Sequence, residues 1–201
     1  MALSEAVAEL TLDLGRVGLP LDAVEVFGAP MPIEVELGLG KGRFLVEWAS
    51  TRPDTAFIGV ERCQKYVTMA ATRLARRGLA NVRVARTTAE DILFRCLGDA
   101  SVAAVHVYFP DPWPKKRHLK RRLLTPANLE RIARVLVPGG VLRIKTDHAA
   151  YAEAIAAALS SVPSLVPADT TAAFAGLPQT HYELKFALEG RSVHAFALRR
   201  A

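Results

Sequence analysis

The sequence predicts an α/β protein built on a doubly wound, mostly parallel sheet. Three observations predict this fold class. Short apolar runs alternate with amphipathic runs of helical period between residues 33 and 159. The first apolar run leads directly into a glycine-rich turn, as the first strand of such a sheet often does. With 201 residues, of which 51% are hydrophobic, the chain can bury the core of one domain, and we expect a single domain over residues 1–201.

The individual elements follow from composition and period. Apolar, β-branched runs predict strands, and the helices between them carry apolar residues three or four positions apart, as Val67, Ala70 and Leu74 do. Gly78 suits the end of that helix, and the turn at 138–140 ends a later one. In order, we predict strand 33–37, helix 42–50, strand 55–61, helix 65–78, strand 81–85, strand 101–109, helix 126–136, strand 141–146 and a helix striped by Tyr151, Ile155 and Leu159.

The two ends of the chain lie outside this alternation. Residues 172–201 are predicted to form a C-terminal antiparallel β-hairpin on the substrate side of the sheet, with its turn at Glu189-Gly190. Residues 1–30 form an N-terminal segment to which the sequence assigns no role. In doubly wound sheets the ligand lies beyond the C-terminal ends of the strands, so we look for functional residues there.

Charge and cysteine content favour some classes of protein over others. The formal net charge is +6, and six Lys or Arg residues lie within residues 115–122, which favours a polyanionic partner. A second basic run, residues 73–77, is interpreted as a solvated helix face. Cys63 and Cys96 match neither a disulfide framework nor a metal-binding pattern, so we expect reduced thiols and no metal. No apolar run approaches the roughly 18–20 residues of a membrane span, and the N-terminus lacks the basic residues of a signal peptide. We therefore expect a cytoplasmic protein without membrane contact.

The glycine loop after the first strand points to a nucleoside cofactor. Glu36 is followed by Gly38, Gly40 and Gly42, but Arg43 stands where a dinucleotide fingerprint needs Gly or Ala. Glycines in this pattern after a strand that ends in an acid resemble the first motif of Rossmann-like methyltransferases that use S-adenosylmethionine. That cofactor has no pyrophosphate and needs only a close approach of the backbone, which the glycines allow. Glu61 ends the second strand, where a carboxylate can accept hydrogen bonds from both ribose hydroxyls. The alternative is a plain glycine-rich turn beside a surface glutamate.

The third and fourth predicted strands also end in candidate residues. Residues 87–91 lie where such enzymes hold the adenine, although Glu90 and Asp91 are equally explained as acids in the first turn of a helix. Pro110 and Pro112 fix φ and lack N–H groups, so the chain leaves the sheet there and presents Asp111 at the strand end.

Aromatic and basic residues follow this turn directly. Trp113 can form a pocket wall or stack on a base, and the six basic residues of 115–122 can contact phosphates. Asp111 can contact the base that reacts, and the basic residues can contact the phosphates around it. This combination indicates a nucleic-acid methyltransferase. The alternative is a rigid structural turn next to a solvated face.

The run FPDPWPKKRHLKRR, residues 109–122, resembles the signature of the bacterial tRNA (guanine-N7)-methyltransferases. The resemblance extends to EVELGLGKG, FIGVER, NVRVARTTAEDIL, LVPGGVLRIKTDH and THYE, and covers most of the chain from about residue 33. It implies a Rossmann-like class I methyltransferase that transfers a methyl group from S-adenosylmethionine to N7 of the variable-loop guanine of tRNA, guanine 46. The site residues that it implies are Glu36, Gly38, Gly40, Glu61, Thr88, Ala89 and Asp111 for the cofactor, with Asp111 also catalytic, and Lys115, Asp147, Thr180 and Glu183 for the substrate.

Two positions depart from the family pattern. Similar sequences usually carry Asp-Ala where this chain has Thr88-Ala89, so we expect adenine recognition to use the Ala89 backbone or Glu90. The usual Thr-Lys-Phe-Glu of the tail reads Thr180-His-Tyr-Glu183 here, so one lysine contact is missing.

The implied reaction needs little proton chemistry. Guanine N7 has a free lone pair and no hydrogen, so positioning and electrostatics are expected to dominate. Asp147 or Glu183 can accept hydrogen bonds from guanine N1–H and the exocyclic amine, and Asp111 can stabilise positive charge. Asp147 can also be interpreted as the N-cap of the following helix. For the whole chain, the alternatives are another S-adenosylmethionine-dependent methyltransferase or a non-catalytic RNA-binding protein on the same fold.

Overall fold

The computed structural model, which describes residues 2–201, contains a single eight-stranded sheet. Its strands are β1 (Thr11–Leu12), β2 (Ile33–Leu37), β3 (Ala56–Glu61), β4 (Val82–Arg86), β5 (Val102–Tyr108), β6 (Leu136–Thr146), β7 (Leu165–Pro167) and β8 (His194–Arg200). They lie in the order β1-β4-β3-β2-β5-β6-β8-β7. The pairs among β1 to β6 are parallel, whereas β8 is antiparallel to both β6 and β7. The predicted doubly wound, mostly parallel sheet with an antiparallel C-terminal edge is therefore confirmed.

Helices connect the strands and cover both faces of the sheet. They are α1 (Leu3–Leu10), α2 (Ala23–Phe27), α3 (Arg43–Ser50), α4 (Gln64–Arg76), α5 (Ala89–Asp91), α6 (Pro126–Val135), α7 (Ala149–Leu159), α8 (Thr170–Phe174) and α9 (His181–Leu188). A π-helical turn, Ile92–Cys96, continues α5, and a 3₁₀ turn spans Lys116–Arg121. No helix within residues 2–201 is long and apolar enough to cross a membrane.

The core lies in two layers because neighbouring strand residues face opposite sides of the sheet. Phe57 packs with Leu45 of α3 and Leu74 of α4, whereas the next residue, Ile58, belongs to the layer that contains Ile132 of α6. All five side chains are almost completely buried, and burying a side chain of this size stabilises a fold by about 1.5–3 kcal/mol. Both layers hold the parallel strands in register, so the strand ends that carry the site are fixed.

The predicted strand before Glu189-Gly190 is wrong, because residues 181–188 form α9. Thr180 and Glu183 form a capping box that starts this helix: the Thr180 hydroxyl accepts from the Glu183 N–H (3.0 Å), and the Glu183 carboxylate accepts from the Thr180 N–H (2.8 Å). Tyr182 and Phe186, four positions apart, then lie on one side of the helix and both contact Phe109. The antiparallel partners of β8 are instead β6 and the short β7.

The N-terminal segment joins the same sheet. After α1, the two residues of β1 extend the sheet beyond β4, with Thr11 opposite Val84 and Leu12 opposite Ala85. A strand of two residues shows no detectable sequence period, which explains why the sequence did not predict β1.

Candidate active site

The glycine loop after β2 has the open backbone that the sequence predicted. Gly38, Gly40 and Gly42 have φ angles of +83°, +53° and +71°, which residues other than glycine rarely adopt. A Cβ atom on Gly38 or Gly40 would meet nothing within 4 Å, whereas one on Gly42 would lie 2.7 Å from the Ala70 Cβ atom of α4. The first two glycines therefore leave free space beside the loop, and the third allows the loop to pack against α4.

Glu61, at the end of β3, is joined to this loop. Its carboxylate accepts hydrogen bonds from the backbone N–H of Gly40 (3.2 Å) and of Cys63 (2.9 Å). The side chain is only partly buried, so its oxygens have lone pairs left for a ligand. The two predicted cofactor elements, the glycine loop and Glu61, are thus adjacent.

Glu36 lies beneath them in β2, with only 3% of its surface exposed. Burial is the main cause that raises its pKa from 4.5 to about 8, and the negative charge of Glu61 raises it further. Its buried Oε2 atom has no hydrogen-bond partner among residues 2–201. A buried oxygen without a donor is costly, and it suits a ligand that brings a donor or a positive charge.

The turn after β5 is strained as well as stiff. Phe109 and Trp113 have φ angles of +52° and +43°, a conformation that costs non-glycine residues of order 1–3 kcal/mol. The Phe109 N–H donates to the Lys145 carbonyl of β6 (2.7 Å), which fixes the point where the chain leaves the sheet. Asp111, between Pro110 and Pro112, is exposed at this edge.

Tyr182 of α9 marks the point where these elements converge. Burial is the main cause that raises the pKa of Tyr182. The charges of Tyr66, Asp111 and Glu61 raise it further, so residues of α4, the turn after β5 and the end of β3 lie near this side chain. The structure therefore brings Glu36, Glu61, the glycine loop and Asp111 to one edge of the sheet, with α9 beside them.

The basic segment, residues 115–122, divides into anchored and free side chains. Arg122 donates through Nε to the Pro112 carbonyl (2.8 Å) and lies 4.6 Å from the Tyr151 ring centre. Arg121 lies over the Trp113 ring at 5.0 Å. The remaining basic side chains are exposed, Lys115 at the start of the 3₁₀ turn among them. We predicted phosphate contacts for all six, but the structure gives Arg122 a second role, which is to hold the turn that carries Asp111.

Thr88 and Ala89, the predicted adenine residues, form the start of α5. The Thr88 hydroxyl caps this helix by accepting from the Asp91 N–H (3.1 Å). The Asp91 carboxylate accepts from the Thr87 hydroxyl and from Arg95, both at 2.8 Å, and these two bonds lower its pKa. Asp91 is therefore an acid in the first turn of a helix, which was the alternative interpretation from the sequence. Ala89 is half-buried beside it.

The substrate residues of the tail are tied to β6 through α9. Besides the capping box with Thr180, Glu183 forms an ion pair with Lys145. Both side chains of this pair are largely buried, and the Lys145 ammonium group also lies 4.6 Å from the Phe174 ring centre. The carboxylate of Glu183 is thus held at the C-terminal end of β6.

Asp147 follows β6 directly and forms an ion pair with Arg191 at 2.6 Å. The guanidinium group of Arg191 is itself stacked on Phe186 at 4.3 Å. The alternative interpretation of Asp147 as an N-cap is wrong, because the cap of α7 is His148, whose Nδ1 accepts from the Tyr151 N–H (3.2 Å).

The sequence analysis missed a buried polar network beneath the site. Glu34 of β2 accepts hydrogen bonds from Trp48 (3.0 Å) and from His106 (2.9 Å), and it pairs with Arg52 (3.2 Å). The other ring nitrogen of His106 lies 2.9 Å from the Tyr108 hydroxyl. Burial would raise the pKa of Glu34, but its hydrogen-bonding and charged partners, His106 first, lower it to about 2.

The protonation states in this network follow from burial and charge. Burial lowers the pKa of His106, so the ring is neutral near pH 7. Because the Glu34 carboxylate can only accept, His106 donates through Nε2 and its Nδ1 accepts from Tyr108. The network therefore joins β2 to the last residue of β5. The available signal was Glu34 near the start of β2 and a histidine, His106, in the otherwise apolar β5.

Comparison with protein families matches residues 30–196 to a family described as "Putative methyltransferase". Among curated relatives, the tRNA (guanine-N(7)-)-methyltransferase of Mycobacterium avium (strain 104) is 40% identical over 187 residues, which are 92% of this chain and 72% of that protein. The protein of the same name from Syntrophotalea carbinolica is 37% identical over 184 residues, 90% of this chain and 79% of that protein. The one from Nocardia farcinica is 45% identical over 147 residues, 73% of this chain and 55% of that protein.

Solved structures share the fold at low sequence identity. The 16S rRNA methyltransferase KamB matches with a TM-score of 0.63 and 19% identity, over 85% of this chain and 88% of that chain. The geranyl diphosphate C-methyltransferase from Streptomyces coelicolor A3(2), solved with S-adenosyl-L-homocysteine, matches with a TM-score of 0.57 and 16% identity, over 99% of this chain and 75% of that chain. At these identities the likeness concerns the fold alone.

Proposed function

This chain belongs to the tRNA (guanine-N7-)-methyltransferase family, and on that premise we propose that it transfers a methyl group from S-adenosylmethionine to N7 of a guanine in tRNA. The finer part of the proposal is the position, guanine 46 of the variable loop. The position follows from the family resemblance. One observation carries methyl transfer to a nucleic acid: the stiff turn after β5 presents Asp111 at the edge of the sheet, and six basic side chains follow within residues 115–122. Because tRNA is the substrate, we propose that the protein works in the cytoplasm.

The residues at this edge fit S-adenosylmethionine. The open space beside Gly38 and Gly40 leaves room for a ligand to approach the backbone. Glu61 would accept from the ribose hydroxyls, and the unpartnered oxygen of Glu36 would face the positively charged part of the molecule. The adenine would lie next to the backbone of Ala89. When bound, the cofactor supplies an electrophilic methyl group on a sulfonium.

The chain's own contribution is to orient the guanine. N7 needs no deprotonation before it attacks, so the protein must hold its lone pair in line with the methyl group. The exposed carboxylate of Asp111 offsets positive charge that develops on the purine. We propose it as the catalytic residue because it is the acid presented by the turn.

Base recognition is assigned to the carboxylates at the end of β6. Asp147 and Glu183 can accept from guanine N1–H and the exocyclic amine, whereas adenine offers an acceptor at N1. Both carboxylates already have protein partners, Arg191 and Lys145, which hold them in a fixed direction. Each carboxylate has about four lone-pair sites, so these partners leave room for a base. Thr180 acts with them by capping α9, and Lys115 is assigned to the tRNA backbone.

The experiment is a methylation assay on bulk tRNA. Protein, labelled S-adenosylmethionine and unmodified tRNA are incubated, the RNA is digested, and the nucleosides are separated. We expect the label in 7-methylguanosine. The variant Asp111→Asn should lose most of this activity while its tRNA affinity stays unchanged, because the side chain keeps its size and loses only its charge. Label in another nucleoside, or no label together with no binding of S-adenosylmethionine by calorimetry, would contradict the proposal.

A further inference from the structure

A cleft lined by arginines lies between α3 and α4, outside the site described above. Its lining residues are Arg43, Val46 and Glu47 of α3 with Arg73, Arg76 and Arg77 at the end of α4, and we call it the arginine cleft. Its volume is about 310 Å³. Residues three and four positions apart share one side of a helix, so Arg73, Arg76 and Arg77 face the cleft together.

The positive charge in this cleft is incompletely neutralised. Arg43 pairs with Glu47 (3.0 Å), and Arg73 donates to the Lys41 carbonyl (2.8 Å). Arg76 and Arg77 are exposed and form no ion pair with any residue from 2 to 201. Four guanidinium groups thus face a single carboxylate. The sequence analysis interpreted residues 73–77 as a solvated helix face. Such a face would not require the three arginines at the end of α4 to converge with Arg43 of α3.

The cleft is attached to the cofactor loop. Lys41, whose carbonyl receives the Arg73 bond, lies between Gly40 and Gly42. His181, at the start of α9, lies near the same positive charges. Burial is the main cause that lowers the pKa of His181, and the charges of Lys41, Arg43 and Arg73 lower it further. The arginine cleft therefore adjoins the edge of the sheet where Glu61 and Tyr182 lie.

We propose that the arginine cleft is a second docking surface for the sugar-phosphate backbone of tRNA. The inference rests on the proposed function, since it extends the binding surface of the same substrate. The basic segment leaves β5, and the arginine cleft is built from the helices that follow β2 and β3. Arg43 begins α3 directly after the glycine loop, and Arg73 bonds to the Lys41 carbonyl of that loop, so this part of the cleft adjoins the ends of β2 and β3. Arg76 and Arg77 lie about one turn further along α4.

The chemistry of the cleft suits the phosphate groups of a nucleic-acid backbone. Arginine presents a planar fork of donors that matches two phosphate oxygens. An open cleft with several such forks suits successive phosphates along a strand. One backbone strand can then contact residues 115–122 on one side of the glycine loop while another contacts Arg76 and Arg77 on the other side.

The test compares a double variant of the full chain with a control variant in filter binding of tRNA across a salt series. Arg76→Gln with Arg77→Gln removes two unpaired cleft charges and leaves the Arg73 bond to the cofactor loop intact. The control is Arg199→Gln, which removes one exposed charge that forms no ion pair with any residue from 2 to 201 and lies opposite Val141, five positions before the end of β6 at Thr146. Glutamine is nearly as favourable in a helix as arginine, so the fold of α4 should persist.

We expect the cleft variant to flatten the dependence of log affinity on log salt by about 1.4–1.8, which is two phosphate contacts. In 0.1 M salt its tRNA affinity should fall by roughly 25- to 60-fold, while S-adenosylmethionine affinity stays at the wild-type value. The control should keep most of the wild-type slope. A wild-type slope in the cleft variant, or an equal loss in both variants, would overturn the proposal.

Failure of this inference differs from failure of the proposed function. A wild-type protein that forms 7-methylguanosine, combined with an unchanged slope in the cleft variant, rejects the arginine cleft alone. A wild-type protein that forms none, combined with a flattened slope, supports the cleft as a tRNA-binding surface and rejects the methylation proposal alone.

Discussion

The buried carboxyl group of Glu36 lies close enough to Glu61 for the negative charge of Glu61 to raise its pKa. Burial is the larger cause, and the two together raise the pKa of Glu36 from 4.5 to about 8. Glu36 is therefore mostly protonated at pH 7, while Glu61 accepts two backbone hydrogen bonds at the same edge of the sheet. The protonated state of Glu36 has a measurable consequence for cofactor binding.

We expect S-adenosylmethionine to release a proton when it binds at neutral pH. A cation next to Glu36 favours the ionised carboxylate, so it lowers the pKa from about 8 and the proton leaves. Calorimetry at pH 7 in two buffers with different ionisation enthalpies should then give two different apparent binding enthalpies. Near pH 9.5 the carboxyl group is already ionised before binding, so the difference should disappear.

The matched control for this prediction is Glu36→Gln, which fills the same space without a titrating group. Its apparent binding enthalpy should be the same in both buffers at pH 7. Equal enthalpies for the unaltered protein would show that Glu36 does not respond to the cofactor.

Thr88 allows a direct test of the departure from the family pattern. Aspartate caps a helix as well as threonine does, so Thr88→Asp should keep the start of α5 and add a carboxylate on the adenine side. We expect tighter binding of S-adenosylmethionine, by at most about 1.5–3 kcal/mol, the value of a hydrogen bond to a charged group. Thr88→Ser keeps the cap without the charge and should bind as the wild type. Weaker binding by Thr88→Asp than by Thr88→Ser in calorimetry would mean that the pocket is built around threonine.

The free lysines of the basic segment should contribute to tRNA affinity without affecting the cofactor. Lys116 and Lys120 are exposed and form no ion pair within the part of the chain that the structure describes. Replacing both by glutamine should flatten the salt dependence of tRNA binding by about 1.4–1.8. Filter binding measures this slope, and a slope equal to the wild-type value would identify the segment as a solvated face.

Arg122 should behave differently from these lysines. Its bond to the Pro112 carbonyl holds the turn that carries Asp111, so Arg122→Gln should reduce methyl transfer more than tRNA affinity. A methylation assay at saturating tRNA separates the two effects. Full activity at saturating tRNA would show that Arg122 acts only as a phosphate contact.

Glu34 should make the fold sensitive to acid. Its pKa is lowered from 4.5 to about 2, so the stability it contributes is present above pH 4.5 and is lost as the pH falls towards 2. Between pH 6 and pH 3 the free energy of unfolding of the wild type should therefore fall more than that of Glu34→Gln, by up to about 2 kcal/mol at about 1.4 kcal/mol per pKa unit. Urea unfolding at both pH values measures it, with the exposed Glu153→Gln as control. Equal losses in the wild type and Glu34→Gln would contradict the role of this network.

The sequence predicted the parts of the fold that depend on period and on strand ends. The strands from β2 to β6 and the helices α3, α4, α6 and α7 carry clear apolar patterns, and Glu36, Glu61 and Asp111 occur where those strands end. A parallel sheet necessarily brings such residues to one edge. This rule is why the candidate cofactor residues could be named before their geometry was known.

The remaining features depend on a local helix-start signal that the sequence analysis did not use and on contacts between distant segments. Residues 181–188 have apolar side chains compatible with either a strand or a helix, and the capping box of Thr180 and Glu183 favours the helix. The pair of Glu34 and His106 requires the register of β2 against β5, which no local pattern contains. Arg191 reaches Asp147 only because α9 folds back over the end of β6.

The central claim is tested most directly by mapping the methyl group on a defined RNA. An unmodified tRNA transcript with guanine at position 46, and the same transcript with adenine there, are incubated with the protein and S-adenosylmethionine, and each is analysed by mass spectrometry of its digestion fragments. We predict one methyl group on N7 of guanine 46 in the first transcript and none in the second. Methylation of both transcripts at another position, or of neither while the protein still binds S-adenosylmethionine, would contradict the account.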